Sequence, residues 1–354
     1  MKTTKILLIS ALAIVALASC APKETHLPRA KAGEFDIPTE KFDQMFNDIF
    51  SHGTDELHSL MVLKDGKVIY ENWSTGHSAE ELHILWSATK TFTATAVGFA
   101  QQDGLLNVND KIAQYFTADE LPEEDNPWME EMTIKHLLTM SSGLKSDKFN
   151  EIIRRGDKDF NPVRETLRSG LNFEPGTRFS YNSMDTYLCS VIVSRVTGKK
   201  LADYLNEKLF TPLGIVNYHF DECQLGYSTG GWGLFLNTES LAKMGQFMLQ
   251  KGEWNGKQLL YPEWFDEAMN EQIFQKKGED LTPEEEADLR KNDDWFTGYC
   301  YQMWKCKMGD SVRLDGAWGQ YVVIMRDKNA VGVMTTHGFG ATLQTFWDDI
   351  YCYL

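Results

Sequence analysis

Apolar and polar side chains alternate over residues 56–64 and again over 67–73 (ELHSLMVLK, KVIYENW), a period of two that predicts strands. Lys64-Asp65-Gly66-Lys67 lies between them, and Asp-Gly joining two such runs predicts a tight hairpin. The pattern then changes. Residues 85–104 (LWSATKTFTATAVGFAQQDG) have helical length and are apolar or small on every side, with Lys90 as the sole charge before Asp103. A helix apolar all round predicts a buried one. Amphipathic helical segments follow in TIKHLLTMSSGL, DTYLCSVIVSRVTGKKLADYLNEKLF and NTESLAKMGQFMLQKGEW, the last capped by Asn237 or Thr238. In the highly charged KKGEDLTPEEEADLRKNDD, Thr282-Pro283-Glu284-Glu285 fits a capping box with proline at the first helical position, on a solvated surface helix. Strand patterns return in TGYCYQMWKCK, SVRLDGAWGQYVVIMRD and AVGVMTTH, and a helix over about residues 341–351 closes the chain. Strands at both ends with helices between predict an α/β fold of the α+β type. One antiparallel sheet is built from both termini and flanked by helices, with a helical domain inserted. The sheet regions fall at about 39–110 and 295–354, and the helical region at about 111–294.

The first residues break from this pattern. Met1–Lys5 carries two lysines, residues 6–19 are apolar or small, and Leu17-Ala18-Ser19 precedes Cys20. A basic start, a short apolar run and small residues before a cut describe an export signal over residues 1–19. The run is too short to span a bilayer, which needs about 20 residues. The cysteine directly after Leu-Ala-Ser resembles a bacterial lipobox, with cleavage before Cys20 and a lipid on its side chain. Ala21, rather than Asp, follows it, which in the usual sorting pattern points to the outer membrane. The expected location is therefore an exported bacterial lipoprotein on the periplasmic face of the outer membrane or the cell surface. Residues 20–38, polar with two prolines, read as a tether, and 39–354 as the folded domain.

The formal net charge of −16 becomes −18 once Lys2 and Lys5 leave with the signal. Such an acidic exported domain is a poor partner for nucleic acid or anionic lipid headgroups, so acyl chains would hold it to the membrane. With Cys20 lipidated, an odd number of cysteines remains (Cys189, Cys223, Cys300, Cys306, Cys352), too sparse for a disulfide scaffold. No CxxC or Cys/His cluster is present, so no metal site or cofactor is expected.

Ser87-Ala88-Thr89-Lys90 is S-x-x-K at the head of the buried helix. Positions i and i+3 share one face of a helix, so the hydroxyl and the amine can meet. A serine hydroxyl needs a base within hydrogen-bond reach to become a nucleophile. A lysine supplies one when a dry site lowers its pKa.

The blocks around this tetrad resemble the serine beta-lactamase-like hydrolases, the group of class C beta-lactamases, D-aminopeptidases, DD-carboxypeptidases, esterases and 6-aminohexanoate-dimer hydrolases. SLMVLKDGKVIYENW, LWSATKTFTATAVGFAQQDGLLNVNDKIAQYF, MTIKHLLTMSSGL, EPGTRFSYNSMDTYLCSVIVSRVTGKK, GGWGLFLNTESLAKMGQFML and DGAWGQYVVIMRDKNAVGVMTTH occur in the family's order, from about residue 55 to the end. The resemblance implies the beta-lactamase/penicillin-binding-protein fold. It implies Ser87 as nucleophile, and Lys90 and Tyr181 as the groups that move its proton. The Tyr-x-Asn motif is here Tyr181-Asn182-Ser183, its third position a serine. The backbone N–H groups of Ser87 and Ala317 would form the oxyanion hole. Asp185 would support the loop, and Ser183, Trp318, Gly319 and Gln320 would bind or frame the substrate. No Lys-Thr-Gly is found. Its place is taken by Asp315-Gly316-Ala317-Trp318-Gly319-Gln320, a Gly-x-x-Gly-Gln pattern most like the 6-aminohexanoate-dimer hydrolase and esterase branch. His337, after the last strand, reads as a strand-end residue and His136 as structural.

The expected activity is acyl-enzyme hydrolysis of small esters, linear amides or D-residue peptides. Loss of the motif lysine, which helps hold a beta-lactam carboxylate, argues against efficient beta-lactam hydrolysis. A beta-lactamase or DD-carboxypeptidase is the alternative within enzymes. A catalytically inactive lipid-anchored binding protein for cell-wall or peptide ligands is the alternative outside them.

Overall fold

A computed structural model describes residues 24–51, 56–145, 160–338 and 341–354. The expected export signal and lipidation site, residues 1–19 and Cys20, lie outside the described residues. Strand β1 (Glu56–Lys64) and β2 (Lys67–Trp73) form the expected hairpin. Asp65 and Gly66 both have positive φ, 49° and 76°, the backbone of a two-residue turn whose twist matches its strands. Short β3 (His83–Ile84) leads into α2 (Thr89–Gln102), which follows α1 (Glu40–Ser51) in the chain. Further on come α3 (Ile134–Leu138), α4 (Ser183–Thr197), β4 (His219–Phe220), β5 (Leu234–Leu236) and α5 (Thr238–Leu249). The hairpin β6 (Glu253–Trp254) and β7 (Lys257–Gln258) precedes α6 (Pro283–Asn292). The chain ends with β8 (Trp304–Lys305), β9 (Ser311–Gly316), β10 (Gln320–Met325), β11 (Ala330–His337) and α7 (Ala341–Asp349).

The main sheet has the order β2-β1-β11-β10-β9-β8, and each neighbouring pair of strands runs antiparallel. The two ends of the chain meet where β1 pairs with β11, Glu56 opposite His337 and Lys64 opposite Ala330. Residues 60–63 of β1 are fully buried although strand alternation places them on opposite faces. Both faces of the sheet are covered. Met61 and Leu63 join the core shared with α2 and α5, whereas Leu60 and Val62 pack with Phe42 and Met45 of α1 and Phe346 and Trp347 of α7.

The helical region is not a separate body. One continuous core runs from Met61 of β1 through α2, α3 and α4 to Val333 of β11. The expected burial of the SxxK helix holds: residues 89–100 are all buried. Its threonines are tolerated because their hydroxyls find acceptors, Thr91 donating to the Gln302 carbonyl at 2.8 Å and Thr93 to the Gly230 carbonyl at 2.7 Å. Asn237 caps α5 and the Thr282–Glu285 capping box starts α6, which buries no residue.

The segment expected to be a tether is fixed from Leu27 onward. Leu27, Ala32 and Ile37 are buried. Arg29 pairs with Val68 of edge strand β2, and the Ala30 N–H donates to the Val68 carbonyl at 2.9 Å. The Leu27 N–H donates to Glu239 at 2.6 Å, and Arg29 bridges Glu71 and Glu239. An open sheet edge needs cover, and this polar segment supplies it.

Cys189, Cys223, Cys300 and Cys306 are buried free thiols, and Cys352 is an exposed one. A histidine cluster lies below β3. His58 and His77 stack at 3.9 Å, and His83 lies 5.4 and 6.3 Å from them.

Candidate active site

Ser87 sits in a tight turn, Trp86–Ala88, that runs straight into α2. Trp86 has φ 46°, an unfavourable value for a bulky residue. That left-handed step turns the chain from β3 into the helix and leaves Ser87 half-buried at its mouth. The Lys90 ammonium is 1% exposed, one helical turn on. Its Nζ lies 3.2 Å from Ser87 Oγ, 3.1 Å from Ser183 Oγ and 2.5 Å from the Gly231 carbonyl. An ammonium has three N–H donors, and Ser87, Ser183 and Gly231 supply three acceptors for them. Loss of one proton, with Ser183 and Gly231 still accepting, would free a lone pair toward the Ser87 hydroxyl.

The second motif arrives on α4. Asn182 is its N-cap and accepts from the Met184 N–H at 2.9 Å, which puts Ser183 in the first turn and Tyr181 just outside it. The Tyr181 ring centroid is 5.2 Å from Lys90 Nζ, and the ring stacks on Trp304 at 5.9 Å. Asp185 is fully buried and accepts from Ser142 Oγ at 2.7 Å. It ties the Ser141-Ser142-Gly143 loop to the helix.

The third wall is the β9–β10 hairpin. β8 pairs only as far as Arg313, so the end of β9 borders the cleft. Gly316 is required there, since a Cβ would lie 2.1 Å from the Leu85 carbonyl oxygen. That approach brings Ala317 beside the Ser87 turn. Trp318 and Gly319 both have positive φ and close the hairpin. The Trp318 carbonyl accepts from Thr336 Oγ1 at 2.5 Å and from the Gly338 N–H at 3.2 Å, and its ring stacks on His337 at 4.6 Å. Gln320 is 4% exposed and donates to the Thr336 carbonyl at 2.5 Å. It braces the hairpin from within and does not line the cleft.

A cavity of about 310 Å³ opens between these walls, lined by Ser87, Tyr181, Trp295, Trp304, Asp315 and Ala317. A second, of about 440 Å³, shares Trp295, Asp315 and Ala317 and continues past Trp318 to Lys307 and Gln344. Of the residues expected from sequence, Ser87, Lys90, Tyr181 and Ser183 therefore meet, with Ala317 opposite. Trp318 and Gly319 face the second cavity. His136 completes a capping box with Thr133 at the start of α3.

Sequence reasoning missed the remaining walls. Arg313 is fully buried, and its Nε donates to Asp315 Oδ2 at 2.7 Å. Its Nη1 donates to the carbonyls of Asp294 and Lys305, both at 3.0 Å. Burial pushes the Asp315 carboxyl up from its ordinary value while Arg313 pulls it down. Gln302 joins three helices: its amide donates to the Leu137 carbonyl at 2.8 Å, accepts from Thr186 Oγ1 at 2.6 Å, and its own carbonyl accepts from Thr91.

Residues 47–347 match the beta-lactamase family. The chain belongs to that family. Among curated relatives, protein flp of Staphylococcus aureus strain MW2 is 26% identical over 215 residues, 54% of this chain and 43% of flp. The chain thus spans less than half the length of that relative. Among solved structures, a Bacillus anthracis protein provisionally named a 6-aminohexanoate-dimer hydrolase superposes with a TM-score of 0.73 at 18% identity, over 93% of this chain and 87% of its own. EstCE1, a hydrolase with promiscuous acyltransferase activity, gives 0.71 at 14% identity over 88% and 98%. A D-stereospecific amidohydrolase from Streptomyces gives 0.67 at 13% identity over 88% and 98%. At these identities the likeness is one of fold. It is the serine-hydrolase fold of the beta-lactamase family, with its sheet built from both ends of the chain.

Proposed function

We propose that this chain is a serine hydrolase that works through an acyl-enzyme on small esters, linear amides or D-residue peptides. The observation that carries the reading is Lys90 Nζ, held between Ser183 Oγ and the Gly231 carbonyl and 3.2 Å from Ser87 Oγ. Ser87 Oγ attacks the substrate carbonyl carbon, and its proton passes to the Lys90–Tyr181 pair. The carbonyl electrons move onto the oxygen, which faces the N–H groups of Ser87 and Ala317. One such donor contributes roughly 2.7–4 kcal/mol to the transition state. Collapse expels the leaving group with the proton, and water then releases the acid by the reverse sequence.

The end of β9 reads Arg313-Leu314-Asp315-Gly316, where the family's beta-lactamases carry Lys-Thr-Gly. The smaller cavity thus has no basic side chain in its lining to hold the carboxylate of a beta-lactam, which supports an esterase or amidase. Residues 21–354, with a Ser87→Ala control, would be treated with a fluorophosphonate probe, p-nitrophenyl butyrate and nitrocefin. Labelling and ester turnover that vanish in the control, with nitrocefin intact, are expected. Absence of labelling in folded protein would reject the hydrolase. Rapid nitrocefin turnover would reject the substrate class.

We further propose that lipid on Cys20 carries the enzyme to the bacterial outer membrane or cell surface. The leader sequence supports this, and retention of a Cys20→Ser variant in the membrane fraction would contradict it.

A further inference from the structure

We propose that the cleft selects acyl compounds bearing an alkylammonium group, held by the Asp315 carboxylate among the rings of Trp295, Trp304 and Tyr181. This rests on the acyl-transfer reading of Ser87. Asp315 is 9% exposed and lines both cavities. Its Oδ2 accepts from Arg313, and no second hydrogen bond reaches the carboxylate among the described residues. The carboxylate lines both cavities with no protein donor closing it off on that side, so a ligand that brings positive charge or a donor can reach it.

The rings around it suit the same group. Three of the six residues lining the smaller cavity are aromatic and none is basic. Trp295 is 49% exposed and meets Trp304 edge to face at 4.9 Å, while Tyr181 stacks on Trp304. Aromatic faces attract cations within about 6 Å. The Arg313 guanidinium already lies 5.2 and 5.6 Å from the centroids of Trp295 and Trp304, so these rings accept a cation at that range. The nearby basic groups are engaged. Lys90 donates to Ser87, Ser183 and Gly231, Arg313 to Asp315, Asp294 and Lys305, and Lys307 pairs with Asp294 across the second cavity. In the smaller cavity, beside Ser87, a substrate carboxylate meets no basic side chain in the lining, whereas an alkylammonium meets Asp315.

The test compares butyrylthiocholine with its uncharged isostere, 3,3-dimethylbutyl thiobutyrate, on residues 21–354. kcat/KM is measured for wild type, Asp315→Asn and Trp295→Leu, each checked by thermal melting. The wild type is expected to prefer the cationic ester at least tenfold. Asp315→Asn should bring the ratio to within about twofold of one, and Trp295→Leu should lower it severalfold. A wild-type ratio near one, or a preference that survives both substitutions, overturns the proposal. Should Asp315→Asn fail to fold because Arg313 loses its partner, the exposed Trp295 decides. Should neither ester be turned over and Ser87 resist the fluorophosphonate, the hydrolase reading is at fault. Titration with choline against 3,3-dimethylbutanol, followed by tryptophan fluorescence, then decides the ligand class. Selective binding of choline upholds it, and equal or absent binding overturns it.

Discussion

Replacing His83 with glutamine should flatten the acid side of the stability curve. His83 opens β3, four residues before Ser87, and is 7% exposed. Burial holds its imidazole down at about 4 against an ordinary 6.5. Glu81 pulls it up, and His58 and His77 push it down. His77 also pairs with Glu81 at 2.8 Å. In the unfolded chain the ring takes its proton near pH 6.5. Between about 6.5 and 4 the unfolded state therefore binds more protons than the folded one, and stability falls as pH drops through that window. The whole gap corresponds to about 3.4 kcal/mol, of which about 2 kcal/mol is lost between pH 7.5 and pH 5.0. Urea unfolding at those two pH values, followed by tryptophan fluorescence, measures it. The wild type should lose about 2 kcal/mol more than His83→Gln across the interval. If both lose the same amount to within ~0.5 kcal/mol, burial of a neutral His83 is not what makes the fold acid-sensitive, and the reasoning is refuted.

Three other substitutions probe the cleft. Ser183→Ala removes one acceptor from Lys90, a loss of roughly 1 kcal/mol. The expected result is a fall in kcat of up to about tenfold with little change in KM, read with p-nitrophenyl butyrate. Gly316→Ala drives a Cβ to 2.1 Å from the Leu85 carbonyl. Overpacking of about 1–3 kcal/mol, seen as a lower melting temperature, should accompany slower fluorophosphonate labelling as the hairpin moves off Ser87. Arg313→Leu strands the buried Asp315 carboxylate and should cost about 3–5 kcal/mol in urea unfolding. A loss below about 1 kcal/mol would show that water or another cation already neutralises Asp315.

Much of this site is written locally. Ser87 and Lys90 lie on one face of one helix, and the charge-free stretch behind them marks that helix as buried. Asn182 and Ser183 form a helix start that a motif can reveal. The aromatic walls carry no such mark. Trp295 follows a fully solvated helix and Trp304 belongs to a two-residue strand, so neither has a periodic neighbourhood. They converge only because β8 pairs with β9 and places Trp304 opposite Arg313. Arg313 and Asp315, two apart on one strand, share a face by strand geometry, but nothing local says that the face is dry. Gln320 shows a limit of motifs. Its place in one leaves binding or framing the substrate equally open, and only the fold shows its amide turned onto Thr336. Residues 24–38 are polar and hold Pro28 and Pro38, so composition reads them as linker. Their pairing with β2 is a tertiary event that no local signal announces.

That pairing would set how far the domain could move if, as proposed, a lipid on Cys20 holds it to a membrane. A free leash from Cys20 to Pro38 spans at most about 60 Å. With the chain pinned at Leu27, about seven residues are left, and the reach falls to about 25 Å. So short a leash would confine a lipid-held domain to a thin shell above the bilayer. Its effective concentration would be high against molecules lying in that shell and negligible against anything farther away. Glu239→Ala would release Leu27 but leave the backbone pairing of Pro28 and Ala30 with Val68, so the β2 edge itself, and not that carboxylate, would set the length of the leash.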